Sequence, residues 1–352
     1  MKFFKIILSN IIIFIILFGI LEVSSRLIFP EFKGHIFSNT KSMNINYIDG
    51  DFLGYQVRSP YADHNESIES PLVLIFGDSI SGGYGSAFED IWWRKLERLL
   101  KVKGKDIKVI SISGYGNNTG DSAKNIKNAI KAIASNDLNI SKIIYQFNFN
   151  DILPFTSSDL ESTSLTNSNF FIELARFRYE HANKSVFLRT IQHYLGRLIR
   201  KTNGTCIERG WHALGPYTWT FGSSPYQEEA ENYWREFSRS IKEIKSLTSN
   251  LNIDFEIFIS PILYDVDKSK AHKHYNYLNY DFSCSTINPK NKLNKIAAET
   301  DIKIYDPSSA LRESFELRLR EGNFEPYFFA ADDNHFTPLA ANYIAEVIAT
   351  EW

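Results

Sequence analysis

The sequence predicts an α/β protein, a mostly parallel five-stranded sheet with helices on both faces. Short apolar runs of strand length stand at 72–76, 107–113, 142–148, 255–260 and 302–306. Stretches with apolar residues every three or four positions lie between the early runs, and strands separated by helices require parallel pairing. At 352 residues, 43% hydrophobic and 23% charged, the chain can bury one large core or two modest ones.

The chain opens with Lys2 and Lys5 ahead of an apolar run from Ile6 to Leu21, whose only polar residues are Ser9 and Asn10 and which Glu22 closes. About 16 residues fall just short of the usual bilayer-crossing length, and Phe3 and Phe4 extend the run if Lys5 snorkels to the headgroups. The expectation is an uncleaved transmembrane anchor over residues 1–25 that meets the membrane through residues 6–21. Its lysines stay cytoplasmic, and the rest of the chain lies on the periplasmic or extracytoplasmic side. A cleaved signal peptide is the alternative, with Val23-Ser24-Ser25 a poor substitute for an Ala-x-Ala site. Residues 26–70 are polar, with scattered aromatics and no clear periodicity, and read as a stalk or irregular lead-in.

The main domain is read over 71–352. Its first apolar run, 72–76, suits a strand buried on both faces. Residues 88–100, FEDIWWRKLERLL, read as a helix, 107–113 as the second strand, 122–134 as a helix and 142–148 as the third strand. The fourth strand, 255–260, ends at Pro261; a short fifth covers 302–306, and 340–348 form a closing helix. The insertion at about 152–250 is Ser/Thr-rich at first, then helical and basic-aromatic at 170–201 and again at 227–247. It reads as a helical cap over the strand ends, or else as a decoration away from any site.

Composition narrows the function. A net charge of −2 leaves no polyanion footprint and sets nucleic acid aside. Two cysteines, Cys206 and Cys284, are too few for a four-cysteine zinc site or a dense disulfide framework. Whether they pair outside the cytoplasm stays open. The aromatic share of 14% suits a cleft for sugars or acyl chains and equally a plain core.

Ligands of open parallel sheets bind beyond the carboxyl ends of the strands. There the chain places Gly77-Asp78-Ser79 after the first strand, Gly114 after the second, Asn150 and Asp151 after the third, and Asp332 three residues before His335 near the carboxyl terminus. A serine hydroxyl is a weak nucleophile until an imidazole takes its proton. The imidazole needs a carboxylate to hold its tautomer, and the oxyanion that forms on the attacked carbonyl needs preplaced donors. All these parts are present.

The four blocks resemble the SGNH (GDSL-type) hydrolase family, whose order is Gly-Asp-Ser, a glycine after the second strand, Gly-x-Asn-Asp, and Asp-x-x-His. The resemblance covers about 72–151 and 300–345 and implies a flavodoxin-like three-layer α/β/α sandwich. It also implies Ser79 as nucleophile, His335 as base and Asp332 as the residue that orients it. The oxyanion hole would be the Ser79 N–H, the Gly114 N–H and the Asn150 side chain. One block departs from the pattern: Asn148 stands where glycine is usual. Gly-Asp-Ser alone arises by chance in roughly one of ten chains this long; the ordered set of four blocks is what carries the likeness.

Several neighbouring residues fit other roles. Asp78, next to the nucleophile, would repel the oxyanion unless turned away and satisfied by donors, so a structural role is expected. Asp151 is expected to brace its loop. Asp333 competes with Asp332, but residues three apart share a face of a turn and residues two apart do not. His272 and His274 have metal-like spacing without a third ligand and read as a solvated loop. Gly82, Gly83 and Gly85 precede no Gly-Lys-Ser/Thr, which argues against a phosphate loop. No metal and no cofactor is expected.

The function expected is a membrane-tethered serine esterase acting on O-acyl, first of all O-acetyl, esters of envelope carbohydrate. Trp211, Tyr217 and Trp219 are candidates to stack on sugar rings. The alternatives are an O-acyltransferase to a glycan hydroxyl, a lysophospholipase or lipase, and a non-catalytic binding protein.

Overall fold

The structure, a computed structural model, describes residues 2–28, 49–52, 55–58, 70–83, 86–113, 119–136, 138–149, 151–152, 187, 220–222, 226–267, 285–323, 325–328 and 335–352. In chain order the elements are α1 (Lys2–Ile28), β1 (Asp49–Phe52), β2 (Tyr55–Arg58), β3 (Leu72–Gly77), α2 (Trp92–Val102), β4 (Lys108–Ser113), α3 (Thr119–Asn136) and β5 (Ile140–Phe147). Then follow α4 (Gln227–Ser249), β6 (Asp254–Ile259), the single turn α5 (Leu263–Val266), α6 (Pro289–Thr300), β7 (Lys303–Tyr305), α7 (Ser308–Arg320) and α8 (Pro338–Thr350).

The strand order is β1-β2-β4-β3-β5-β6-β7. The five strands from β4 to β7 pair in parallel, each where an apolar run predicts one. β3 is buried along its whole length because it lies inside the sheet with a helical layer on either side. Its alternate residues enter two cores. Leu72, Leu74 and Phe76 pack with Ala123, Ile126 and Ile130 of α3 and with Trp234, Phe237 and Ile241 of α4. Val73 and Ile75 pack with Trp92, Trp93 and Leu96 of α2 and with Ala341, Ile344 and Ile348 of α8. The result is three layers, helix on sheet on helix. The chain order reverses direction between β3 and β5, the place where such sheets open a crevice.

Two features differ from the sequence expectation. Residues 49–58, inside the segment read as an irregular lead-in, form an antiparallel hairpin running from Asp49↔Arg58 to Phe52↔Tyr55. Its second strand joins β4 at Arg58↔Ser111. The hairpin covers an edge whose open hydrogen-bonding groups would otherwise recruit other strands, and Phe52 and Val57 hold it to the core. The second difference is α4. Residues 227–247 were expected in the cap, yet α4 lies in the helical layer on the sheet, with Ala230, Trp234, Phe237, Ile241 and Ile244 all buried. Apolar periodicity shows that a helix has a face to bury and not which surface receives it. The rest of the expected cap, apart from 152, 187, 220–222 and 226, lies outside the described residues.

α1 carries the expected anchor run. Its Ile13, Phe14, Ile16, Leu17, Ile20 and Leu21 are exposed, and its side chains at 2–9, 11, 12 and 15 lie outside the described residues. Among the described residues no helix is long and apolar enough to cross a membrane. Near the end of α1, Arg26 pairs with Glu22 at 2.9 Å. Glu22 also accepts from the backbone N–H of Phe187 at 3.0 Å, and the Phe18 and Phe187 rings meet edge to face at 5.9 Å.

Candidate active site

The site begins where β3 runs out. A Cβ on Gly77 would stand 2.8 Å from Oε1 of Gln146 and 3.0 Å from Oγ of Ser81, so only glycine lets the neighbouring strand approach. The chain then turns over 78–83, closed by Gly82 N–H to the Asp78 carbonyl at 3.0 Å and by Gly83 N–H to the Ile80 carbonyl at 3.1 Å. Gly83 adopts a φ of 71°, a region that disfavours side chains. The turn is bolted to both flanks through the Ser81 carbonyl, which accepts from Trp93 Nε1 of α2 at 2.7 Å and from Ser111 Oγ of β4 at 3.2 Å.

Asp78 is buried, and its carboxylate is met by three donors. Its Oδ1 accepts from the Ile80 N–H at 2.9 Å and from Gln146 Nε2 at 3.2 Å, and its Oδ2 accepts from Asn148 Nδ2 at 2.9 Å. Burial pushes this carboxyl above the usual range; the three donors and the charge of His335 pull it back. Gln146 also takes the Ser81 hydroxyl on its Oε1. Gln146 and Asn148 are two apart at the end of β5 and so share one face, the face turned to Asp78. In the sequence Gln146 carries no motif and Asn148 stands out only as a departure from the usual glycine. The signal was two polar residues at alternate positions ending an otherwise apolar run.

Next to this buried carboxyl, Ser79 is half-buried and its Oγ lies 2.9 Å from Nε2 of His335. The imidazole sits just ahead of α8, and the approach is tightly held. Phe336 bridges to Phe328. The Thr337 N–H bonds the Tyr327 carbonyl at 3.0 Å, and its hydroxyl bonds the Pro326 carbonyl at 2.8 Å. The same hydroxyl caps α8, whose first residue, Pro338, has no N–H to satisfy. Ser86 donates to the Phe336 carbonyl at 3.4 Å, tying the loop after Ser79 to the loop that carries His335.

Asp151 does not touch the pair. Its Oδ2 accepts from the Tyr145 hydroxyl at 2.8 Å and from the Asn148 N–H at 3.0 Å, while its own N–H bonds the Asn148 carbonyl at 2.9 Å. Burial first, and the Asp78 charge second, hold this carboxyl well above the usual range. Its Oδ1 is buried with no partner among the described residues. Such an arrangement braces a turn and supplies no base.

Of the five predicted site residues the structure thus brings together Ser79 and His335. Gly114, Asn150 and Asp332 lie outside the described residues, as do Asp333, His272, His274, Cys206, Cys284, Trp211, Tyr217 and Trp219. The flanking positions are described: Ser113 pairs with Gly77 in register, and Phe149 is buried between Asn148 and residue 150. Beside His335 lies a small recess walled by apolar and polar groups together, Ile80, Ile91, Trp92 and Phe336 with Ser86 and Asp90. A serine hydroxyl hydrogen-bonded to an imidazole nitrogen at this distance can pass its proton to that nitrogen as the oxygen attacks a carbonyl.

No protein-family profile and no curated protein sequence matches the chain. Solved structures do resemble it. One is a member of the lipolytic protein G-D-S-L family from Veillonella parvula, at 11% identity and a TM-score of 0.40, over 80% of this chain and 97% of that one. Another is an acetyl xylan esterase, at 13% identity and a TM-score of 0.41, over 80% and 98%. A third is a catalytic mutant of an acetylxylan esterase from Geobacillus stearothermophilus, at 13% identity and a TM-score of 0.39, over 81% and 95%.

Proposed function

We propose that the protein is a serine esterase that cleaves O-acyl, and first of all O-acetyl, esters through an acyl-enzyme. The observation that carries the reading is the 2.9 Å contact between Ser79 Oγ and His335 Nε2 at the carboxyl ends of parallel strands. Ser79 Oγ attacks the ester carbonyl while His335 Nε2 takes its proton. The imidazolium then returns that proton to the departing alcohol oxygen. Water attacks the acyl-enzyme with His335 again as base, and the carboxylic acid leaves Ser79 free.

In this reading Asp332 holds the other imidazole nitrogen, and the N–H groups of Ser79 and Gly114 with the Asn150 amide receive the oxyanion. Their place in the ordered sequence blocks supports the assignment. The anchor belongs to the same proposal: Lys2 and Lys5 followed by the apolar run 6–21 suit a single-pass tether, with the catalytic domain on the extracytoplasmic side and a substrate that is envelope carbohydrate.

A p-nitrophenyl ester series of increasing acyl length tests the reading. Acetate and butyrate esters turn over fastest, a fluorophosphonate probe labels the chain, and Ser79→Ala loses both signals. Undiminished hydrolysis by Ser79→Ala would refute it.

A further inference from the structure

Asn148 ties together two turns that the chemistry needs in register. Its side chain amide donates to Oδ2 of Asp78, the residue before Ser79, at 2.9 Å. Its backbone N–H and carbonyl both bond Asp151, at 3.0 and 2.9 Å, closing the turn 148–151 at the end of β5. The side chain orientation is itself fixed, because Oδ1 accepts from the Phe149 N–H at 2.9 Å. Asn148 and Asp78 are both almost fully buried, so no water replaces a lost donor cheaply. Glycine at this position, the residue of the resembling pattern, has no side chain with which to make the link.

We propose that Asn148 is a positioning residue that holds the Ser79 turn at a set distance from the 148–151 turn, so that nucleophile and β5 loop meet the same carbonyl. The inference rests on the esterase reading and deepens it. Three donors converge on Asp78: the Ile80 N–H of its own turn, the Gln146 amide from within β5, and the Asn148 amide from the closed turn that follows β5. Removing it leaves Gln146 to hold the Ser79 turn from inside β5 but unties the closed turn beyond the strand, and displacements of about 1 Å near reacting atoms cost up to about 10²-fold in rate.

The test measures steady-state hydrolysis of p-nitrophenyl acetate by the full-length chain and by Asn148→Gly, Asn148→Ala and Asn148→Asp, beside Ser79→Ala. Asn148→Gly and Asn148→Ala are expected to lose about 10- to 100-fold in kcat with KM little changed. Asn148→Asp keeps the shape but sets an acceptor against Asp78. The groups facing this position are the Asp78 and Asp151 carboxyls and the Tyr145 hydroxyl, with His335 acting on Asp78 through its charge. Protonation of the new carboxyl restores a donor, so the ratio of its rate to wild type rises as pH falls from about 8 to about 6. Wild-type kcat in Asn148→Gly alongside a dead Ser79→Ala overturns the positioning role and leaves the esterase reading standing. Full activity of Ser79→Ala removes the reading itself. Should the glycine and alanine variants fail to fold, a pH-independent loss in Asn148→Asp assigns the residue to packing alone and overturns the proposal.

Discussion

Gln146 closes on Gly77 so tightly that a methyl group on the glycine would lie 2.8 Å from its Oε1 and 3.0 Å from its Cβ. Gln146 in turn holds Asp78 and Ser81, on either side of the nucleophile. Gly77→Ala is therefore expected to lose about 1–3 kcal/mol of stability, the usual cost of overpacking a filled core. It also lowers kcat, because Gln146 must move. Urea unfolding and ester hydrolysis on the same preparation check both halves.

Ser79→Ala and His335→Gln each remove one end of the 2.9 Å contact without disturbing a core. Both are expected to lower ester turnover by on the order of 10⁴-fold or more, with an unfolding midpoint close to wild type. Intact activity in His335→Gln would sink its role as base.

The residues outside the described set make a separate test of the sequence blocks. Asn150→Ala is expected to lose about 10²–10³ in kcat, the effect of deleting one oxyanion donor. Asp332→Asn is expected to fall about 10⁴-fold and Asp333→Asn to change little. Equal losses in the two aspartate variants would remove the assignment of Asp332.

Asp151 sets a pH dependence of stability. Its carboxyl is held well above the usual range by burial and by the Asp78 charge. A raised carboxyl binds its proton more tightly folded than unfolded, so its contribution is complete below the unfolded value near pH 4 and is lost as pH rises through the folded value. Asp151→Asn keeps an oxygen for the Tyr145 hydroxyl and the Asn148 N–H and carries no charge. Its stability relative to wild type should climb as pH rises from about 4 toward 8. A difference that stays flat across that range in denaturant titrations would show Asp151 to have an ordinary carboxyl.

The tether predicts partition. The full chain is expected in the carbonate-resistant membrane fraction, and a chain beginning after residue 25 in the supernatant. Recovery of both in the supernatant would remove the anchor.

Much of the fold was readable because a strand inside a doubly covered sheet must be apolar on both faces. Runs such as 72–76 and 142–148 announce that condition directly. The hairpin 49–58 was not readable: its four-residue strands bury little beyond Phe52 and Val57, and pairing at a sheet edge leaves no period in the sequence. α4 showed its apolar face but not its destination.

The site divides in the same way. The sequence by itself determined which chemistry the chain could hold, since the nucleophile, the base and the ordered blocks around them are matters of residue type and order. Only the tertiary structure decided that Ser79 and His335, 256 positions apart, come within a hydrogen bond. It alone decided that Gln146 and Asn148 satisfy the buried Asp78 carboxylate. Hydrogen bonds between buried side chains depend on distance and angle, and one-dimensional order encodes neither.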